Sequence, residues 1–390
     1  MKIYNEKAAE TAGTPVLLDD MIMTTDMPTT AGSRMLAGYT SLFEATAVTL
    51  LREAGYGIAG KAAVGEFGFD LIGETAAGGP TVNAEGALAL PIAEAVVAEG
   101  CPALALDTNG TPRRGAAQRG LLFLKPTYGV VSRFGTVPVA CSGEAVGIMT
   151  KNAAECKDVF TVIAHHDDRD GTSQPEELCE AAKASGKIRR VAVPTELDNE
   201  TTAALKAALL AAGVELLPIS MPELTAASEA WNVLMSAELC NNVSRYDGVK
   251  YGYRTEKFTN IDELYTGSRT EAFGPVLKRT ILFGSETLST ENYGRMYDRC
   301  LRLRRLVSEA FARVFGEFDA VLLPAVSRMA YTPEELAENP NLVFLENRYT
   351  APASLTGLPS LIVAGAALVG PAFRDGVLLA LAETLEEVKK

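Results

Sequence analysis

Ala105–Gly120 reads ALDTNGTPRRGAAQRG. A short apolar run ends in Asp107, and Thr108, Asn109, Gly110, Thr111 and Arg113 follow. Two hydroxyls beside a glycine at a strand end could form an acyl-transfer site: a nucleophile next to a backbone loop whose N–H groups hold an oxyanion. The same residues also suit an ordinary strand-to-helix connection with threonine as a cap. Asp107 and Arg113 flank the turn. A carboxylate and a planar guanidinium can hold a loop without any nucleophile. We expect them to pair with each other or jointly with nearby backbone groups, in a structural role. The alternative is two solvated charges that contribute little.

Other chemistries find less support. The chain has six cysteines, none in a CxxC pair or a Cys/His ligand spacing. A disulfide framework or a metal site is therefore not expected, and no cofactor is implied. The two histidines, His165 and His166, are adjacent in the polar stretch AHHDDRDGTS and read as surface residues, which leaves a histidine triad without a base. A net charge of −13 argues against direct nucleic-acid binding, which needs clustered Lys and Arg. The basic stretch LRLRRL, Leu301–Leu306, reads instead as an amphipathic helix with a solvated or partner-facing side. No apolar run reaches membrane-spanning length, and MKIYNEKAAETAG has no apolar leader core; a cytoplasmic protein is expected.

The elements that must position the loop follow from hydrophobic patterning. Of 390 residues 47% are hydrophobic and 22% charged, ample for a large core. Strands are expected at Thr14–Leu18, Tyr56–Ala62, Pro102–Leu106, Arg189–Pro194, Val214–Ile219, Asp319–Ala325 and Pro359–Gly365. Helices are expected at Ala45–Glu53, Ala89–Ala98, Asn199–Ala212 and Glu291–Phe315. Strands that are apolar throughout and alternate with helices predict an α/β fold with a mostly parallel sheet covered on both faces. The linker-like SQPEELCEAAKASGK (Ser173–Lys187) also suits a helix, so one domain spanning 1–390 is expected. Ser244–Phe258, rich in tyrosine and charge, reads as an ordered surface or cleft lining.

Several longer stretches resemble the amidase-signature family, and within it the A subunits of tRNA-dependent amidotransferases. They are GTPVLLDDMIMTTDMPTTAGSRML (Gly13–Leu36), GKAAVGEF (Gly60–Phe67), ETAAGGPTVN (Glu74–Asn83), LKPTYGVVSRFGTVPVA (Leu124–Ala140), SAELCNNVSRYDGVKYGYRTEKF (Ser236–Phe258), RTEAFGPVLKRTILFG (Arg269–Gly284) and ASLTGLPSLIV (Ala353–Val363). The resemblance implies a three-layer α/β/α domain on a large mixed sheet, without the family's N-terminal helical segment. It implies Ser–Ser–Lys chemistry: a lysine of lowered pKa accepts a proton, a bridging serine relays it, and a second serine attacks an amide.

Carried over residue by residue, the resemblance implies Lys61 for the lysine. Ala89 falls near the bridging serine and has no hydroxyl. LDTNGTPR (Leu106–Arg113) stands where the family has a motif of the form SDTGGSIR, so Thr111 takes the nucleophile's place and Thr108, Asn109 and Gly110 the oxyanion loop. The methyl of Thr111 stiffens χ1, Pro112 disfavours a helical Thr111, and Pro112 removes an N–H. Loss of one oxyanion donor costs about 2.7–4 kcal/mol of barrier. Tyr251, Arg304 and Asn347 are implied to line the glutamine pocket, Asn347 in place of a carboxylate for which Glu346 could compensate.

The leading expectation is a catalytically impaired paralogue of the family's A subunits that keeps the fold and a partner surface, with Thr111 and Lys61 facing one cleft without a bridging hydroxyl. The alternatives are an active amide hydrolase, with Thr111 as nucleophile, Lys61 as base and Ser142 as a candidate relay, and a regulatory or scaffold subunit docking on a B-type partner. B-type and C-type amidotransferase subunits are the implied partners, and a small amide such as glutamine the implied substrate.

Overall fold

The computed structural model describes residues 3–388 of the chain. Eleven strands form one sheet: β1 (Tyr4–Lys7), β2 (Thr14–Asp19), β3 (Tyr56–Ala62), β4 (Ala103–Asp107), β5 (Leu122–Lys125), β6 (Ala145–Thr150), β7 (Arg190–Pro194), β8 (Glu215–Ile219), β9 (Ala320–Pro324), β10 (Ser360–Val363) and β11 (Ala366–Val369). Their spatial order is β1-β3-β2-β4-β6-β5-β10-β11-β9-β7-β8. Every strand expected from hydrophobic patterning is present, with ends shifted by two residues or fewer.

The sheet is mixed, and parallel pairing is confined to two flanks: β3-β2-β4 on one side and β9-β7-β8 on the other. The centre, from β4 through β6, β5, β10 and β11 to β9, is antiparallel, so the expectation of a mostly parallel sheet is corrected there. The physical reason is burial. The central strands β4, β5, β6, β10 and β11 are buried at every position. Strands covered on both faces read as continuous apolar runs whatever their direction, so the run alone does not report polarity. A tight connection such as Val363–Ala366, with Ala364 and Gly365 at positive φ, sets it instead.

Helices cover the sheet in groups, giving the α/β/α layering. Thr46–Glu53, Ala153–Ile163 and Asp375–Val388 pack on one another and on strands, and so do Pro91–Glu99 and Thr111–Arg119. A bundle of Ala227–Val243, Pro275–Thr287, Tyr297–Val314 and Leu342–Thr356 packs beside them. The expected helix Asn199–Ala212 forms as a 3-10 turn, Glu200–Thr202, followed by Ala203–Ala211. The one expected from Glu291 begins only at Tyr297. Pro91 opens the Pro91–Glu99 helix at its first position, where a missing N–H costs nothing, so Ala89 lies just outside it. Ser173–Lys187 contains the helix Glu176–Lys183.

Gly147 in β6 shows how tight the centre is. A Cβ there would lie 2.2 Å from Phe123 Cζ and 2.7 Å from the Leu124 carbonyl oxygen. Gly147→Ala is expected to lower stability by about 1–3 kcal/mol through overpacking. Urea unfolding checks this; a midpoint equal to the parent's would show that Phe123 can move aside.

Candidate active site

The sequence places the loop after β4, and β4 is buried along its length. Gly110 caps the helix Thr111–Arg119 with φ +78°, and a Cβ on it would fall 2.3 Å from Thr350 Oγ1. Both facts require glycine there. The helix begins at Thr111 despite Pro112. A proline in the first turn removes an N–H that has no intrahelical partner, so its effect on the preceding residue is overcome.

The structure brings Asp107 and Arg113 together. Arg113 Nε donates to Asp107 Oδ2 at 2.6 Å and Nη2 reaches Oδ1 at 3.3 Å, with both side chains buried. The remaining guanidinium capacity goes to the Thr350 carbonyl at 2.7 Å and to Ser354 Oγ at 2.5 Å. Asp107 Oδ1 also accepts the Gly110 N–H at 2.9 Å, so this amide of the expected oxyanion loop is already engaged. Asn109 is held between Trp231 Nε1, which donates to Asn109 Oδ1 at 3.0 Å, and the Asp70 carbonyl, which accepts from Asn109 Nδ2 at 3.3 Å. Thr108 is buried, and its Oγ1 has no partner among the described residues.

Thr111 is only 4% exposed, and its hydroxyl donates to the Asp70 carbonyl at 2.8 Å. Arg114 Nη2 donates to the same carbonyl at 2.9 Å and lies 3.3 Å from Thr111 Oγ1. Three side chains thus converge on one backbone oxygen of this chain. The loop carrying it is built around Asp70. The Asp70 carboxylate accepts from Gly73 N, Thr75 N and Thr75 Oγ1, and a Cβ on Gly65 would lie 1.6 Å from Asp70 Oδ2. Glu66 ties the loop outward, accepting from Ser33 Oγ at 2.7 Å and Gly274 N at 2.8 Å.

Lys61 and Thr111 share no direct hydrogen bond among the described residues. Lys61 is on β3, and β2 lies between it and β4. Two strand spacings amount to about 9.5 Å. The Lys61 ammonium donates instead to the Pro28 carbonyl at 3.0 Å and Thr29 Oγ1 at 2.5 Å. Burial pulls its pKa down to about 8, against the opposing pull of Asp20, Asp19 and Asp26. The group bordering the end of β4 is Asp19, whose Oδ2 accepts the Leu106 N–H at 2.7 Å and whose Oδ1 accepts from Met21 N at 3.0 Å. Burial pushes its pKa up to about 7. Ala89 is buried and contributes only its backbone, donating to the Thr81 carbonyl at 2.9 Å.

The remaining expected residues each have partners of their own. Asn347 Nδ2 donates to Asn232 Oδ1 at 2.8 Å, and Asn347 Oδ1 faces Arg114 Nη1 at 3.5 Å. Glu346 accepts from Tyr331 OH at 2.6 Å and from Ser327 N at 2.9 Å, both on Oε2. Arg304 donates to the Leu355 carbonyl at 2.6 Å and to Ser142. The Ser142 hydroxyl in turn donates to Glu238, which engages the candidate relay elsewhere. Tyr251 is 46% exposed and stands edge-on to Tyr246. No hydrogen bond among the described residues joins Tyr251, Arg304 and Asn347. His165, Glu176 and Glu180 come close enough to share an ion, but Lys183 already sits among them, 2.6 Å from Glu180 and 3.4 Å from His165.

The Amidase family model matches residues 2–370. The chain belongs to the amidase family. Curated relatives within it include the A subunit of glutamyl-tRNA(Gln) amidotransferase from Maridesulfovibrio salexigens, 36% identical over 96% of this chain and 83% of its own length. Its counterpart from Symbiobacterium thermophilum is 36% identical over 97% and 83%. Among solved amidase-fold structures, the corresponding glutamyl-tRNA(Gln) amidotransferase chain of Thermotoga maritima superposes with a TM-score of 0.79 at 26% identity, covering 98% of this chain and 86% of that one. No helix among the described residues is long and apolar enough to cross a membrane.

Sequence reasoning missed Arg114, Asp70 and Asp19 as members of this amidase-fold site. The Arg113–Arg114 doublet after the loop was the available signal for the first; the other two depend on contacts distant in sequence. Arg113→Ala would leave Asp107 buried without its partner. A loss of about 3–5 kcal/mol is expected, read from chemical denaturation; an unchanged melt would refute a structural role for the pair. A pH dependence is also expected. Asp19, with a folded pKa of about 7 against an ordinary value of 3.8, holds its proton in the folded state longer than in the unfolded one. Stability therefore falls as pH rises between those values, by up to ~1.4 kcal/mol per pH unit from this group. Urea titrations across the range should show a shallower slope for Asp19→Asn. Equal slopes would mean that Asp19 ionises as it does in the unfolded chain.

Proposed function

We propose that this protein is an impaired homologue of the amidotransferase A subunits, one domain that keeps the family fold and a surface for B-type and C-type subunits and has little or no glutaminase activity. The observation that carries this reading is the Asp70 carbonyl. It occupies the Thr111 hydroxyl, the Asn109 amide and the Arg114 guanidinium together. A substrate carbonyl would have to displace it and find its own donors.

Three further features support the reading. Ala89 offers no hydroxyl to relay a proton. Lys61 spends its ammonium on Pro28 and Thr29. The Gly110 N–H is bound to Asp107. A nucleophile needs a base within hydrogen-bond reach, about 2.6–3.2 Å, and the described side-chain partner of the Thr111 hydroxyl besides the carbonyl is a guanidinium, which supplies protons and accepts none. In the cytoplasm such a chain would act through its partner surface, the regulatory or scaffold role.

Ammonia release from glutamine by the purified protein is expected at background, unchanged in Thr111→Ala. Glutaminase turnover well above background that Thr111→Ala abolishes would overturn the proposal in favour of a working threonine hydrolase.

A further inference from the structure

Most of the basic stretch in and just before the helix Tyr297–Val314 faces away from the fold and from the loop after β4. Residues 295–305 hold five arginines and one aspartate in a chain of net charge −13. Arg304 turns inward to Leu355 and Ser142. Arg302 pairs with Asp298 and Arg305 with Glu309 along the exposed helix face. The side chains of Arg295 and Arg299 have no hydrogen-bond or ion-pair partner among the described residues, and both are exposed.

These arginines edge a groove of about 670 Å³. Its floor includes Met296, Leu303 and Leu306, and its rim Arg295, Arg299 and Arg302. Leu306 is 49% exposed, in a helix that buries Cys300, Val307, Ala310 and Phe311. A surface helix normally turns its apolar stripe to the core and its charges to water. Here leucines stand between the arginines on the outer side.

We infer that this groove is a docking site for an acidic amphipathic segment of a partner protein, one that lays leucine-type side chains on the Met296–Leu306 floor and carboxylates against Arg295 and Arg299. Charge complementarity selects the occupant. Unpaired guanidiniums on an otherwise acidic molecule attract carboxylates and hold them through planar, bidentate contacts. The apolar floor requires more than charge, which disfavours a nucleic acid on a chain this acidic. The proposal stands apart from the reading of the Thr111 loop, since it uses none of the same residues and its test does not measure hydrolysis.

The test is fluorescence anisotropy of a fluorescein-labelled peptide of repeated Glu-Leu-Leu-Glu units added to the full chain. Saturable binding that weakens with salt is expected. Arg295→Glu/Arg299→Glu and, separately, Leu306→Ser should each weaken it roughly tenfold or more, while Arg254→Glu, an exposed arginine elsewhere, should leave it within about twofold. Circular dichroism and melting confirm that the variants fold. Three outcomes would overturn the inference: no saturable binding, equal affinity for a polyglutamate peptide without leucine, or tighter binding of a single-stranded RNA oligonucleotide than of the peptide.

Discussion

The loop after β4 depends on one buried ion pair. Asp107 ends a fully buried strand, and Arg113 lies within the first turns of the next helix. Removing both charges from water is costly and is recovered only with good geometry and with every remaining donor satisfied. Four of the five guanidinium N–H groups have acceptors among the described residues, two of them from elements far away in sequence. The Thr350 carbonyl and Ser354 hydroxyl come from the helix Leu342–Thr356, and the Gly110 N–H takes the free side of Asp107. The pair thus fastens strand, turn and two helices at one point. Its neighbourhood stays charged: burial, with Arg113 adding to it, pulls the buried Lys125 down to about 7, and burial pushes Asp375 up to about 6.

With that point fixed, the chain folds its own polypeptide into the space beside Thr111. Arg114 is buried with no carboxylate in ion-pair contact among the described residues, and it donates to carbonyls at 2.7 Å from Leu71 and 2.9 Å from Asp70. A buried guanidinium tolerates this only if the loop supplying those carbonyls stays in place. The loop is accordingly overdetermined, with Asp70 and Glu74 carboxylates capping its own N–H groups. Phe67 sits at φ +54° and packs against Tyr246 and Phe273. The tyrosine-rich stretch read as an ordered lining therefore supports, through Tyr246, the loop that engages Thr111.

The apolar strands and the family were legible because burial on both faces writes itself as runs of Val, Leu, Ile and Ala. β1, β5, β6 and β11 were not; in β6, AVGIMT, the central glycine interrupts the apolar run. The Asp107–Arg113 pairing was legible because it is local. The hydrogen-bond partners of Lys61 were not, because they lie on a distant turn and leave no mark in the residues of β3 itself. Nor could Asp70 be read, as its function lies in a backbone oxygen, which every residue has.

Lys61 illustrates what the family resemblance alone does not decide. Its ammonium serves a turn, holding the Pro28 carbonyl and the Thr29 hydroxyl. Asp20 braces the same turn from the other side, accepting from Thr30 N at 3.0 Å and from the Thr30 hydroxyl. The acids and the lysine lie close enough to act on one another, and burial moves all three toward neutrality: Asp19 to about 7, Asp20 to about 6 and Lys61 to about 8. A buried amine of lowered pKa is what a general base needs. Geometry comes first, however, and here the amine faces a turn. The same electrostatics that would activate a base also hold this turn, and burial is the largest cause of each of the three shifts.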